Sequence, residues 1–247
     1  MGRYDNSNVE AIQTRTMTMF YLFDVSGSMA GTKIEQVNFA MRDIPKIIKD
    51  VSDGAPNAQI EIAAATFANT VEWITPKPQT PDDFITTWKP VCAEGLTSLG
   101  AALNSLNEKM SRKAFLSENP LGYYAPGVII LSDGAPTDEW QKALAELNKN
   151  NWFKSATKVA FAVGEDADFD VLAQICGTKE AVISIDDNDP DKIRQYIQFV
   201  TATVSKTGTM SNLDEDAQTA VNKAIADIDN DMPIVVDIPD IDDEQWD

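Results

Sequence analysis

The chain is predicted to be an α/β protein: a three-layer, doubly wound, mostly parallel central sheet with one antiparallel edge strand, followed by an acidic C-terminal tail. Three observations predict this. Apolar runs of strand length alternate with stretches of helical period along most of the 247 residues. The runs at 16–23 and 127–132 are apolar almost throughout, as expected of strands covered on both faces. The runs at 58–67 and 70–75 are separated only by a turn at Asn69, too short for a parallel crossover, so the second is antiparallel to the first.

The elements follow in order. After the 16–23 strand, Gly27 and Gly31 provide tight backbone turns. From Lys33 onward, Ile34, Val37, Ala40, Met41, Ile44, Ile47, Ile48 and Val51 recur with helical spacing. Pro45 falls inside this helix and is expected to kink it, and Asp53-Gly54-Ala55-Pro56 ends it. Pro76, Pro78 and Pro81 mark a loop, and Pro81-Asp82-Asp83-Phe84 has the proline and the acids of a helix start. Residues 92–97 read as a loop and 98–114 as a helix with Leu99, Ala102, Leu103, Leu106 and Met110 on one face. An insertion at 117–126 carries Tyr123 and Tyr124, and the 127–132 strand runs straight into Asp133-Gly134. A helix from Asp138 carries Trp140, Ala143, Leu144 and Leu147, and a strand at 157–163 follows. A short helix with Phe169, Leu172, Ala173 and Ile175, a strand at 181–185, and a helix at 189–204 complete the pattern.

The chain therefore divides into a polar leader at 1–15, a domain at 16–204 and an acidic extension at 205–247. The extension holds two lysines against twelve acids. Within it Leu213, Ala217, Val221, Ala224, Ile225 and Ile228 keep helical spacing, Asn212 with Glu215 resembles a capping box, and Ile234-Val235-Val236-Asp237-Ile238 has the composition of an edge strand. It reads either as a solvated tail or as a segment that docks on a partner or on the chain's own body.

Composition narrows the function. A net charge of −19 repels phosphate backbones and anionic membrane surfaces, which argues against nucleic acid and membranes as partners. The absence of histidine removes the commonest general base and the commonest zinc ligand. Cys92 and Cys176 have no metal-ligand spacing and are expected to be reduced thiols, and residues 1–15 lack the apolar core of a signal peptide; both suit a cytoplasmic protein. No apolar run approaches the ~20 residues that span a bilayer.

Asp24-Val25-Ser26-Gly27-Ser28 places a carboxylate and two hydroxyls at alternate positions of a turn, between a buried strand and a helix. Oxygen ligands of this kind suit a hard divalent cation, and the carboxyl edge of an open α/β sheet is where such folds bind ligands. Two more loops can share that edge: Gly95-Leu96-Thr97-Ser98 before a helix and Ser132-Asp133-Gly134 after a strand. Each residue also has a structural explanation. Ser26 and Ser28 can cap the following helix, Thr97 can be the N-cap of the next one, and Asp133 can be a turn aspartate. Asp138 reads as the cap of its own helix, and Tyr123, Tyr124 and Trp140 either rim the site or pack elsewhere.

Taken together, these residues resemble the von Willebrand factor type A (VWA) domain, whose metal-ion-dependent adhesion site (MIDAS) draws Asp-x-Ser-x-Ser, a Thr and an Asp from three loops. The resemblance implies a Rossmann-like sheet over roughly residues 16–204, with the Asp24 and Asp133 strands adjacent at the switch point. It implies metal ligation by Asp24, Ser26, Ser28, Thr97 and Asp133, with Mg²⁺ as the expected ion and Ca²⁺ or Mn²⁺ as alternatives. Within the family the chain is most similar to bacterial tellurite-resistance TerY-like proteins, through the runs 23–29, 97–100 and 131–138. That similarity implies a non-enzymatic, metal-dependent binding module in a stress-response complex. It would bridge to a Glu or Asp of a partner, with kinase-like and phosphatase-like proteins as candidates. Two alternatives are a metal-dependent phosphohydrolase and an adaptor regulated by its own acidic tail occupying the site. The first is disfavoured because Ser26 stands where such enzymes usually carry a second aspartate.

Overall fold

The structure, a computed structural model, describes residues 14–55, 58–116, 122–133, 136–165, 167–185, 190–210 and 216–229. The capping box at Asn212 and Glu215, the edge strand at 234–238 and most of the leader lie outside these residues. Six strands, β1 (Arg15–Asp24), β2 (Ala58–Phe67), β3 (Val71–Trp73), β4 (Gly127–Ser132), β5 (Thr157–Val163) and β6 (Val182–Ile185), form one sheet in the order β3-β2-β1-β4-β5-β6. Every pairing is parallel except β2 with the edge strand β3. The predicted fold class holds, and β1 and β4 are neighbours at the point where the strand order reverses.

Period-two alternation sorts the strands between two cores. Met17, Met19, Tyr21 and Phe23 of β1 face one helical layer, and Phe20 and Leu22 face the other. The first layer contains α1 (Thr32–Asp53), α7 (Pro190–Thr209) and α8 (Ala217–Asp229), with Phe84 of α2 (Pro81–Thr87) beside α1. The second contains α3 (Leu99–Lys109), α4 (Trp140–Leu147) and α6 (Phe169–Cys176), with Phe153 of α5 (Asn151–Ser155). All of β1 except Arg15 is buried, which explains its unbroken apolar character. Asp43 of α1 is buried and accepts hydrogen bonds from Arg194 and Gln198 of α7, so the charge is paired and ties the two helices together.

α1 agrees with the sequence reading: it continues through Pro45 to Asp53, with Pro45 on its buried face, where packing outweighs the lost backbone bond. Several other boundaries differ. The helix predicted at 98–114 ends at Lys109. α7 runs to Thr209, past the boundary at 204, and α8 sets Val221 and Ile225 into the first core. Its start is stitched to β5, because the Gln218 side chain accepts from the Lys158 amide and donates to the Lys158 carbonyl. The start of the acidic extension is thus docked on the body rather than solvated. No helix among the described residues is long and apolar enough to cross a membrane.

Two predictions follow from the packing. Ile225→Ala should lower stability by about 2–4 kcal/mol, read as a shift of a cooperative denaturant transition, whereas a solvated α8 would give no shift. Both cysteines are free, Cys92 exposed and Cys176 buried, and burial pushes the Cys176 thiol up to about 12. One thiol per native chain should react with a disulfide reagent at pH 8, and two after denaturation.

Candidate metal centre

β1 ends at Asp24 and β4 at Ser132, and the register pairs Phe23 with Leu131 one step earlier. The parallel pairing therefore sets Asp24 beside Ser132, whose hydroxyl donates to Asp24 Oδ2 at 2.6 Å. Asp133 follows immediately. Chain order places these residues 108 and 109 apart, but sheet order makes them adjacent.

A single hydrogen-bonded chain runs through the cluster. The Ser26 amide donates to Asp24 Oδ1 at 2.8 Å, the Ser26 and Ser28 hydroxyls are 3.1 Å apart, and the Ser28 hydroxyl donates to Asp133 Oδ1 at 2.7 Å. Lys33, in the first turn of α1, donates its ammonium to Asp133 Oδ2 at 2.8 Å. Asp24, Ser26 and Asp133 are buried, while Ser28 is exposed, so the cluster opens to solvent on the Ser28 side. Burial pushes the Asp24 carboxyl above the ordinary carboxylate range. Hydrogen bonds from Ser132 and Ser26 act against that rise, and the charge of Asp133 adds to it.

The third loop is fastened through its own backbone atoms, with the Asn69 side chain accepting from the Leu96 amide at 2.9 Å. Gly95 O accepts from the Gly27 amide at 3.0 Å, the Glu94 amide donates to Val25 O at 2.7 Å, and the Ser98 amide donates to Ala68 O at 3.0 Å. Gly95 has φ +85°, and a Cβ there would meet the Asn69 amide group at 2.7 Å, so glycine is required. Thr97 is buried, and its carbonyl accepts from both the amide and the hydroxyl of Thr137. The side-chain network does not extend to the Thr97 hydroxyl. The structure thus brings four of the five candidates into one network and leaves Thr97 on the loop whose Gly95 is bonded to Gly27.

Other candidate roles resolve differently. Ser98, not Thr97, is the N-cap of α3; Ser26 precedes the short 27–29 helical turn without a side-chain cap bond, and Gly31 rather than Ser28 stands at the N-cap of α1. Asp138 does cap a helix, but α3 rather than its own: its carboxylate accepts from the Gly100 and Ala101 amides at 2.9 and 3.0 Å. Trp140 is buried in the second core. Tyr123 and Tyr124 lie with Thr16 and Arg15 at the start of β1, the opposite edge of the sheet. Of the two glycines after Asp24, only Gly31 has a left-handed φ, +84°, and it fixes the entry into α1. Ser132 and Lys33 were not among the sequence candidates, since both act across the sheet on partners about a hundred residues away.

The donor set fits a hard divalent cation. It is all oxygen, two carboxylates and three hydroxyls counting Thr97, without a nitrogen or sulfur ligand. Among the described residues no three His, Cys, Asp or Glu gather, so a cation here depends on the hydroxyls. Two buried like charges side by side also call for a positive charge between them.

No family model matches the sequence, and no curated protein matches it. Solved structures do. The proximal thread matrix protein 1 from the mussel byssus, with a zinc-occupied MIDAS motif, superposes with a TM-score of 0.58 at 20% identity, over 77% of this chain and 49% of that one. The pilus adhesin SpaC from Lactobacillus rhamnosus GG gives 0.59 at 12% identity, over 79% of this chain and 31% of that one. The ArnB paralog VWA2 from Sulfolobus acidocaldarius gives 0.50 at 16% identity, over 76% and 45%. The chain thus spans half or less of each of these proteins. At these identities the likeness establishes the fold, which is VWA-like.

Asp24→Asn keeps an acceptor for the Ser26 amide while removing a buried charge. In chelator at neutral pH the variant should be more stable than the parent by on the order of 1 kcal/mol. Because the folded Asp24 carboxyl titrates above its unfolded range, the burial penalty is absent when it is protonated and appears as pH rises. The gain should therefore shrink on acidification. Melting midpoints across pH check both points.

Proposed function

We propose that this protein is a metal-dependent protein-binding module. The observation that carries the reading is the oxygen cluster itself: two buried carboxylates linked through two seryl hydroxyls, open to solvent on one side. Asp24, Ser26, Ser28 and Asp133 would hold a divalent ion, with Thr97 reaching it from its adjoining loop. When bound, the ion would supply an electrophilic centre able to accept a carboxylate oxygen from a partner. The hydroxyl ligands are neutral, so they hold the ion without quenching its charge, and Asp24 and Asp133 balance it from the buried side. Ser132 orients Asp24 by donating to the oxygen that the Ser26 amide leaves free. Mg²⁺ is the proposed ion on ligand hardness, and the zinc-occupied MIDAS of the byssus protein supports a divalent ion in this fold.

The partner is a protein presenting a Glu or Asp. The similarity of the 23–29, 97–100 and 131–138 runs to TerY-like proteins supports a cytoplasmic scaffold in a tellurite or related stress response, with kinase-like or phosphatase-like partners. The chain acts by binding rather than by turnover: Ser26 occupies the position where a phosphohydrolase would need a second acid, and the chain has no histidine to replace it.

Affinity capture from a bacterial lysate tests this. Wild type in Mg²⁺ should retain a partner that elutes with chelator, and the Asp24→Ala, Ser26→Ala double variant should retain none. Metal-independent capture by both proteins, or phosphate release by the wild type that Asp24→Asn abolishes, would overturn the reading.

A further inference from the structure

Lys33 sits in an electrostatically unusual place. It is the second residue of α1, where the positive end of the helix dipole disfavours a cation, yet its ammonium is drawn inward onto Asp133. The Asp133 carboxylate is fully buried and the Lys33 side chain is only 16% exposed. Gly31, at φ +84°, sets the turn from which the lysine reaches back over the cluster. The two Asp133 oxygens are thereby divided, Oδ1 accepting from Ser28 and Oδ2 from Lys33. One of the proposed metal ligands is already held by a tethered cation.

We propose that Lys33 makes cation loading conditional on an acidic ligand. The inference rests on the metal-binding reading above and extends it to the regulation of the same site. Charge decides the direction. With Lys33 in place, two carboxylates and one ammonium leave a single negative charge. A divalent ion then leaves the cluster one positive charge in excess, at low dielectric, where that excess is felt strongly. An incoming carboxylate removes the excess. Lys33 therefore opposes the metal alone and favours the metal together with the acidic group of a partner. Without the lysine, the metal alone neutralises the two aspartates, and the carboxylate gains nothing from overall charge balance. Metal and ligand are thus coupled through one side chain, in the reciprocal sense that binding linkage requires.

The test is Mn²⁺ binding to the full chain, counted from free Mn²⁺ by electron paramagnetic resonance, with and without N-acetylglutamate as the carboxylate probe. Lys33→Met and Lys33→Gln should each bind Mn²⁺ alone about tenfold more tightly than wild type, a modest part of the Coulomb term at this range. Lys33→Arg, which retains the charge, should stay near wild type. N-acetylglutamate should tighten Mn²⁺ binding to wild type more than to either neutral variant. If both neutral variants bind Mn²⁺ no more tightly than wild type, the inference fails while the metal site stands. If no chain binds Mn²⁺, the metal-binding reading fails and the inference falls with it.

Discussion

Two like charges held together out of water are the constraint on which the rest of this structure turns. Parallel pairing of β1 with β4 brings Asp24 and Asp133 to the same point of the sheet edge, and burial denies them solvent. Left alone, such a pair would oppose folding. Three donors and one cation moderate it: the Ser26 amide, the Ser132 and Ser28 hydroxyls, and the Lys33 ammonium. A site that stabilises itself in this way is prepared for a positive charge before any ion arrives.

The remainder of the fold holds that edge in place. The buried β1 strand, with a core on each side, fixes the height of Asp24, and the Asp43 interaction with Arg194 and Gln198 locks α1, and with it Lys33, against α7. Backbone bonds from Gly27 and Glu94 hold the Asp24 and Thr97 loops together, and one from Ser98 ties the Thr97 loop to the turn after β2. Asp138 connects the loop after β4 to the start of α3, so the Thr97 loop is gripped from both sides. The Thr97 hydroxyl is the one candidate outside the hydrogen-bonded chain, and its loop is held by main-chain contacts.

The local parts of this arrangement were legible in the sequence. Asp24, Ser26 and Ser28 fall within five residues, and strands with apolar runs announce both faces of the sheet. The β1–β4 adjacency came from family resemblance, because residue spacing carries no information about which strands pair. Long-range contacts were not legible: Ser132 on Asp24 and Lys33 on Asp133, 108 and 100 residues apart, and Asp138 on a helix other than its own. Lys33 in particular looked like an ordinary polar residue in the first turn of a helix. The docking of α8 was one of two readings left open, because the helical spacing of Val221 and Ile225 was visible while the acidic context suited a solvated tail equally well. Tyr123 and Tyr124 suggested a rim by sequence proximity to β4, but they precede that strand and so lie at its opposite end.

The central claim is that the oxygen cluster between β1 and β4 is a divalent-cation site. Crystals grown with Mn²⁺, with anomalous differences collected on both sides of the manganese absorption edge, test it most directly. The account predicts a peak bounded by Asp24, Ser26, Ser28 and Asp133. A peak at another surface only, or the Lys33 ammonium still on Asp133 with no manganese beside it at saturating metal and carboxylate, would contradict it.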